Sequence, residues 1–186
     1  MNTGPDRRAG FALSEQDGAV QIIACTLETL DAEEEGGPAL ARALNATDPV
    51  SWPPEHNDAS TRDWMRSLIR DHPNQPGWGF WYILADGRPV GIAGYKGPPN
   101  DSGCVEIGYS VVEADQRQGY AGRAVAMLIA RAFGDPLVTL IAAETLPALI
   151  ASQRVLTRKG FVLTGSSFDA EVGEIMRFEL NRPQPT

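Results

Sequence analysis

Cysteine and histidine are scarce in this chain of 186 residues. The two cysteines, Cys25 and Cys104, lie far apart, and neither belongs to a Cys-x-x-Cys pair. The two histidines, His56 and His72, stand in polar stretches without a neighbouring cysteine or a second histidine. Disulfide frameworks and zinc sites need several thiols or imidazoles at short spacings, so we predict neither, and no metal. Free thiols fit a reducing compartment, and the predicted location is the cytoplasm.

Basic residues are also few, and no long apolar run is present. Only two lysines occur, the formal net charge is −8 and the pI is about 4.7. A nucleic-acid-binding domain normally carries a cluster of lysine and arginine, so we predict no nucleic-acid partner. No stretch is apolar for long enough to span a bilayer, and residues 1–10 lack the apolar core of a secretory signal, so we predict no membrane association.

The apolar pattern predicts one mixed α/β domain over residues 20–181, with a flexible tail at 1–19 and a short tail at 182–186. Aliphatic and aromatic runs predict strands, and the Asp86-Gly87 pair predicts a hairpin turn between two of them. Apolar residues at helical spacing predict helices, two of them capped by Asp31 and Ser60. The predicted strands are 20–27, 79–85, 89–95, 104–112, 138–142, 161–169 and 174–180, and the predicted helices are 31–44, 60–71, 121–133 and 147–159.

Residues 116–123 (QRQGYAGR) are the most informative segment, because they follow a predicted strand and open a predicted helix. Gly119, Ala121 and Gly122 are small enough for a ligand to approach the backbone, and the first turn of a helix presents unpaired N–H groups. A pyrophosphate fits such a site, with Arg117 and Arg123 adding positive charge. A P-loop is excluded because no Gly-Lys-Ser/Thr follows, and a dinucleotide fingerprint needs three glycines in a parallel βαβ unit. From the spacing alone, a phosphate-binding turn and an ordinary glycine-rich loop both stay open.

The same segment resembles a family signature. The pattern Gln116-x-x-Gly119-x-Ala121 is similar to the Q/R-x-x-G-x-G/A motif of the GNAT superfamily of N-acetyltransferases. The strand at 105–109 (VEIGY) and the stretch 152–161 (SQRVLTRKGF) also match, and together they resemble the branch that includes the bacterial acetyltransferases of ribosomal-protein N-termini. The resemblance extends over residues 20–180 and implies the acyl-CoA N-acyltransferase fold, a mostly antiparallel sheet flanked by helices.

The resemblance also implies acetyl-CoA as the cosubstrate. The pantetheine arm is expected in a V-shaped gap between the strand that ends near Val111 and the strand at 138–142, and the pyrophosphate on the amides at the helix start. A backbone N–H at 109–111 is expected to stabilise the oxyanion. Two positions depart from the family, since Leu149 replaces an asparagine and Leu156 replaces a tyrosine acid. The coenzyme-binding residues that we predict are Val111, Val112, Gln116, Arg117, Gln118, Gly119, Tyr120, Ala121, Gly122 and Arg123.

An amine with a pKa of about 10 must lose a proton before it attacks, so carboxylates near the predicted acetyl site are candidate bases. Glu106 matches a glutamate that acts as base in the histone-acetylating branch. Ser152 and Glu171 match a serine–glutamate pair proposed as acid and base in the ribosomal branch. Each residue also has a structural alternative: an ion-paired or solvated strand residue for Glu106, a serine bonded within its helix, and a turn carboxylate for Glu171.

The resemblance implies direct transfer of an acetyl group to a primary amine, which is either a protein N-terminus or a small-molecule amine. Neither cysteine lies in the signature, so we do not expect an acetyl-enzyme. A non-catalytic acyl-CoA-binding or regulatory module of the same fold is the alternative function. Trp52, in a proline-rich loop, is the tryptophan that we most expect to line an acceptor pocket. A homodimer is the assembly that we consider.

Overall fold

The computed structural model describes residues 13–184, which form five α-helices and one eight-stranded sheet with the strand order β1-β2-β3-β4-β5-β6-β8-β7. All neighbouring strands are antiparallel except β5 and β6, which are parallel. The predicted mixed α/β architecture with a mostly antiparallel sheet is therefore confirmed. The strands are β1 (Ser14–Asp17), β2 (Val20–Ala24), β3 (Phe80–Ala85), β4 (Arg88–Tyr95), β5 (Cys104–Val111), β6 (Leu140–Thr145), β7 (Val162–Asp169) and β8 (Gly173–Asn181). The helices are α1 (Leu27–Glu35), α2 (Gly37–Ala43), α3 (Ala59–Asp71), α4 (Tyr120–Gly134) and α5 (Ile150–Arg158).

Helices α1, α2 and α3 cover one face of the sheet over β2, β3 and β4. Leu30, Leu40 and Met65 from these helices are fully buried in one cluster with Tyr82 of β3. Within residues 13–184, no residue of β5, β6, β7 or β8 belongs to this cluster. The same face of those four strands is therefore not covered by the helical layer, and we call it the open face.

The larger core lies on the opposite face, which we call the helix face. The apolar stripe of α4, including Val125 and Leu128, is fully buried against residues such as Trp81 and Ile107. Leu156 of α5 joins the same core. Helices α4 and α5 therefore both pack on the face opposite to α1, α2 and α3, and the polar start of α4 is left at the end of β5.

The helix predicted over 31–44 is divided in two. It begins earlier than predicted because Thr26 caps α1: its hydroxyl accepts from the Thr29 N–H at 3.1 Å, and Thr29 Oγ1 accepts from the Thr26 N–H at 2.8 Å. Gly36 then ends α1 with φ 116°. Asp31, the predicted cap, lies inside α1, so that prediction is wrong.

The other helix starts also differ from the prediction. Asp58, rather than Ser60, caps α3 by accepting from the Thr61 N–H at 2.9 Å. Strand β6 begins two residues later than predicted, and α5 begins at Ile150 rather than at the proline of residue 147. Each difference is a boundary shift of a predicted element, which local hydrogen bonding decides.

The folded domain extends beyond the predicted limits of residues 20 and 181. Strand β1 lies inside the segment predicted as a tail and pairs with β2 from Ser14 opposite Ile23 to Asp17 opposite Val20. Arg182, also predicted in a tail, donates from its guanidinium to three backbone carbonyls around the end of α4. The remaining predicted tail residues, 1–12 and 185–186, lie outside the described residues. None of the helices between residues 13 and 184 is long and apolar enough to cross a bilayer.

Candidate active site

Strands β5 and β6 separate part-way along their length. Their last paired residues are Ile107 and Ala143. Beyond this point β5 continues to pair with β4 as far as Val111, whereas β6 continues to pair with β8 as far as Thr145. Because the two strands follow different partners, a gap opens between their ends. This gap corresponds to the V-shaped opening that the family resemblance implies.

The direction of the hydrogen bonds decides which backbone groups of β5 face the gap. The Glu106 carbonyl accepts from the N–H of Lys96, the residue after β4, at 2.8 Å, and the Val112 N–H donates to the Val90 carbonyl of β4 at 3.0 Å. Because this direction alternates along a strand, the backbone groups of Tyr109 and Val111 point away from β4 and into the gap. The N–H of Val112, which lies in a predicted coenzyme-binding residue, is already bonded within the protein.

The segment predicted to bind phosphate leads into the start of α4, close to the end of β5. Gly119 is the N-cap residue in the left-handed conformation, with φ 82°, and no side chain caps this helix end. The Arg123 N–H donates to the Gly119 carbonyl at 3.1 Å, so the four N–H groups before it, at 119–122, have no partner inside the helix. A Cβ atom at Gly119 would meet no atom within 4 Å, so the space beside these amides is open. The Arg123 amide, in contrast, is used by the helix itself.

Two contacts hold this turn against the sheet. Arg88, at the start of β4, makes a two-point ion pair with Asp115, with both N–O distances at 2.7 Å. These hydrogen bonds raise the pKa of Arg88. Gln116 Nε2 donates to the Val111 carbonyl at 3.1 Å, so its side chain binds the end of β5. The amides of the turn are therefore fixed relative to the gap.

A tyrosine and a serine meet on the helix face of the gap. Tyr109 of β5 and Ser152 in the first turn of α5 are both half-buried. The phenolic oxygen lies 2.9 Å from Ser152 Oγ and 3.1 Å from the Ser152 carbonyl oxygen. Burial raises the pKa of Tyr109, with the hydrogen bond to Ser152 acting in the opposite direction, so the phenol keeps its proton at neutral pH. The Ser152 hydroxyl is thus bonded across the gap.

Glu106 lies on the open face of the sheet, on the strand that borders the gap. Its carboxylate forms an ion pair with Lys96, and the Glu106 side chain is 25% exposed. Nearby on the same face, Arg177 of β8 pairs with Glu144 at 3.4 Å and with Glu179 at 2.8 Å. Glu106 is therefore ion-paired, as its structural alternative expected. Its carboxylate nevertheless stays partly accessible.

Comparison with known proteins identifies the family of this chain. The family described as the acetyltransferase (GNAT) domain matches residues 25–162, which is most of the chain. The chain belongs to the GNAT acetyltransferase family. The resemblance seen in the signature residues is therefore confirmed.

Three similar proteins illustrate the relationship. The uncharacterized N-acetyltransferase YjdG of Bacillus subtilis (strain 168) is 28% identical over 106 residues, which cover 56% of this chain and 63% of that protein. The chain thus matches less than two thirds of the length of this relative. RimL, a ribosomal L7/L12 alpha-N-protein acetyltransferase in complex with coenzyme A, has a TM-score of 0.67 at 17% identity, covering 89% of this chain and 95% of its own. The microcin C7 self-immunity acetyltransferase MccE, in complex with acetyl-CoA and AMP, has a TM-score of 0.64 at 14% identity, with coverages of 89% and 94%. At these identities the two solved structures establish a shared fold.

Glu171 lies between β7 and β8, beyond residues 25–162 that the family matches. It lies at the exposed tip of the β7–β8 hairpin, where its own N–H donates to Asp169 Oδ1 at 2.8 Å. Between residues 13 and 184 no hydrogen bond joins the Glu171 side chain to Ser152. The structure therefore does not join the serine and glutamate that the sequence predicted as a pair.

The two positions at which this GNAT domain departs from the family are both occupied by leucine without a polar substitute. Leu149 precedes α5 and is 44% exposed, and no side chain caps that helix. Leu156 is fully buried in the larger core. Neither leucine can donate a proton, and the hydroxyl pair described on the helix side of the gap is that of Tyr109 and Ser152.

The buried side of α1 carries a carboxylate that was not predicted from the sequence. Glu33 is 5% exposed and accepts hydrogen bonds from Trp52 Nε1 at 2.7 Å, Asn57 Nδ2 at 2.6 Å and the Tyr82 hydroxyl at 3.0 Å. Burial raises the pKa of Glu33, and the three hydrogen bonds oppose the rise. Trp52 is thereby held against the helical layer, with its ring 6.1 Å from that of Tyr82, so its predicted place in an acceptor pocket gains no support. The run of three glutamates at 33–35 gave no signal, because such runs are typical of exposed helix surfaces.

We expect Glu33→Ala to lower the free energy of unfolding by about 3–5 kcal/mol, because three buried donors lose their acceptor. Urea unfolding followed by circular dichroism measures this change. Glu35→Ala, on the exposed side of the same helix, is the matched control and should change the value by less than about 0.5 kcal/mol. Equal small effects in both variants would contradict a stabilising role for the buried carboxylate.

The pH dependence of the same network has a definite sign. An unfolded glutamate has a pKa of about 4.3, and the folded value for Glu33 is raised, so the folded state binds this proton more tightly. The stability that this group contributes is present below about pH 4.3 and is lost as the pH rises through the folded pKa. Since Glu33→Gln does not titrate, its free energy of unfolding relative to the unsubstituted protein should improve between about pH 4 and pH 7. A difference that is constant over this range would show that the pKa is not raised.

Proposed function

We propose that this protein transfers the acetyl group of acetyl-CoA to a primary amine by direct attack in a ternary complex. The observation that carries this proposal is the position of the open start of α4 at the end of the gap between β5 and β6. Acetyl-CoA is an extended molecule with a pyrophosphate at some distance from its thioester, and the chain offers one suitable site for each part. Family membership supports the same activity.

The start of α4 fits the pyrophosphate. The unpaired N–H groups of residues 119–122 point along the positive end of the helix dipole, and Gly119 leaves the approach open. Arg117 and Arg123 flank these amides in the sequence. Lys159, which was not among the predicted coenzyme-binding residues, brings a positive charge beside this turn, since its Cε would lie 3.8 Å from a Cβ atom on Gly122. In this proposal the site therefore combines the helix dipole with positively charged side chains.

The gap fits the pantetheine arm and the thioester. The backbone groups of Tyr109 and Val111 face it as at the edge of a sheet, where an extended chain of amides can add hydrogen bonds. An N–H group from these residues is the expected donor to the oxyanion formed during attack. Holding the thioester and the amine together at this place accounts for much of the expected rate enhancement.

The gap gives the reacting carbon access to both faces of the sheet. In our proposal the amine approaches from the open face, where Glu106 accepts its proton directly or through water, and Glu144 adds negative charge. The sulfur leaves towards the helix face, where the Ser152 hydroxyl donates to it. Cys104 lies opposite Leu140 at the start of the paired region, before the gap opens, which supports direct attack rather than an acetyl-enzyme.

The acceptor in this proposal is a protein N-terminus or a small-molecule primary amine. Two similar structures are described as a ribosomal-protein acetyltransferase and a microcin self-immunity acetyltransferase, which represent these two classes. A cytoplasmic location and a homodimer remain predictions. A second candidate function is a non-catalytic acyl-CoA-binding module, which the leucines at 149 and 156 favour because they supply no polar group to the coenzyme side of the site.

Coenzyme A should raise the melting temperature of the protein, because it binds only the folded state. At 100 times its dissociation constant it should raise the free energy of unfolding by about 2.7 kcal/mol. NAD should have little effect. Thiol release from acetyl-CoA, followed with a panel of primary amines and N-terminal peptides, then separates the two functions. Binding without thiol release for every amine favours the non-catalytic module, and stabilisation by NAD but not by coenzyme A contradicts both.

A further inference from the structure

The contact between Tyr109 and Ser152 crosses the gap that we assign to the thioester. Tyr109 belongs to β5, on one side of the gap, and Ser152 to α5, which follows β6 on the other side. The phenolic oxygen approaches two different atoms of Ser152, the hydroxyl oxygen at 2.9 Å and the carbonyl oxygen at 3.1 Å. One tyrosine therefore contacts both the side chain and the backbone of one serine.

The number of protons restricts how these contacts are made. A phenol has a single O–H, and a backbone carbonyl only accepts. When Tyr109 donates to the carbonyl, the Ser152 hydroxyl can donate to the phenolic oxygen, so the serine proton points at the tyrosine. When Tyr109 donates to Ser152 Oγ, the serine proton is released from the pair and turns to another acceptor. The pair thus has two arrangements that differ in where the serine proton points.

We propose that Tyr109 is a positioning residue that directs the Ser152 hydroxyl proton at the departing sulfur by donating its own proton to Ser152 Oγ. This proposal rests on the proposed acetyl transfer. As the carbon–sulfur bond breaks, its electron pair goes to sulfur and Ser152 O–H donates a hydrogen bond to the developing thiolate. Tyr109 keeps its proton throughout, and the thiolate is finally protonated by solvent.

Burial of the phenol supports a role for Tyr109 as a hydrogen-bond donor that keeps its own proton. Because the pKa of Tyr109 is raised, the tyrosinate is disfavoured and the O–H bond persists over the neutral pH range. A hydroxyl that accepts one hydrogen bond donates a stronger one, since hydrogen bonds in a chain polarise one another. The tyrosine thereby strengthens the serine as a donor as well as orienting it.

The alternative is a purely structural contact that fastens α5 to β5. The matched control for that alternative is Tyr95→Phe. Tyr95 lies in the same hydrophobic core, and its hydroxyl donates to the Leu128 carbonyl at 2.6 Å, away from the gap. Tyr95→Phe and Tyr109→Phe therefore each remove one partly or fully buried tyrosine hydroxyl, and only the second reaches Ser152.

The experiment measures kcat and the KM for acetyl-CoA by thiol release, with the best amine found for the unsubstituted protein. We expect Tyr109→Phe to lower kcat roughly 5- to 30-fold, the effect of one hydrogen bond, with KM little changed. Tyr95→Phe should lower the melting temperature without this loss. Because Tyr109 acts only through Ser152, the combined Tyr109→Phe, Ser152→Ala variant should be no slower than Ser152→Ala alone.

The outcomes separate this proposal from the proposed function. If the unsubstituted protein releases no thiol with any amine, acetyl transfer itself is wrong and this proposal with it. If it turns over and Tyr109→Phe keeps full kcat, or loses activity only through KM, the positioning role alone is overturned. If the two single losses multiply in the combined variant, Tyr109 acts independently of Ser152, which also overturns it.

Discussion

Gly119→Asp is expected to weaken coenzyme A binding by about 100-fold or more, while the protein stays folded. The substitution puts a carboxylate beside the four N–H groups at 119–122, which have no partner inside α4, and like-charge repulsion against a pyrophosphate there costs several kcal/mol. The new carboxylate can also accept from those amides as a helix cap and so compete with the ligand. Isothermal titration with coenzyme A, together with circular dichroism, measures affinity and folding on the same sample.

Two further variants separate the effect of charge from that of backbone strain. Gly119→Asn adds nearly the same side chain without the charge, so it should weaken binding much less than Gly119→Asp. Gly173→Asp introduces the same strain at φ 85°, in similarly open space at the β7–β8 hairpin, and should leave coenzyme affinity unchanged. If Gly119→Asp binds coenzyme A normally in a folded protein, the phosphates bind elsewhere and the assignment of the α4 start is wrong.

Glu106→Gln is expected to reduce kcat by roughly 10²–10⁴-fold at neutral pH, the range for removal of a general base. The loss should shrink as the pH rises, because the amine then deprotonates in solution without help from the protein. Rates are to be measured across pH at saturating acetyl-CoA. Glu179→Gln, which changes an ion-paired glutamate on the same open face but on β8, is the control and should keep near-normal turnover.

The way in which activity is lost distinguishes the roles of Glu106. A rise in the KM for the amine at unchanged kcat means that the carboxylate only attracts a cationic acceptor. Measuring Glu171→Gln and Ser152→Ala alongside tests the other predicted proton-transfer residues. If all three variants turn over normally, protons move through bulk water and these assignments fail, while the coenzyme site is unaffected.

The ion pair of Glu106 with Lys96 bears on the same experiment. Lys96 occupies the carboxylate that the amine would approach, so its ammonium group competes with a cationic amine for the same oxygens. Lys96→Met should therefore change the apparent affinity for the amine more than it changes binding of coenzyme A. Titration of both ligands into this variant separates the acceptor side of the gap from the coenzyme side.

Local sequence indicated most of the elements and, together with the family signature, the segment predicted to bind phosphate. Alternating apolar residues identified most strands, and apolar residues at helical spacing identified most helices. The local backbone geometry sets both spacings, so both can be read along the chain. Gly119 could be recognised for the same reason, since its left-handed backbone and the free amides after it belong to one turn of one segment. The cap at Thr26 was missed because Thr29 takes the place of the usual glutamate or glutamine of a capping box.

The side chains that meet across the fold could not be predicted from local sequence. Tyr109 and Ser152 are 43 residues apart, Glu33 and Tyr82 are 49 apart, and Arg88 and Asp115 are 27 apart, and no local pattern relates them. Their contacts follow from strand order and from the face of the sheet on which each helix packs. For that reason the signature segment alone indicates where the coenzyme phosphates are expected, whereas the packing of α5 against β5 brings Tyr109 to Ser152. The exposed hairpin tip keeps Glu171 out of hydrogen-bonding contact with that serine.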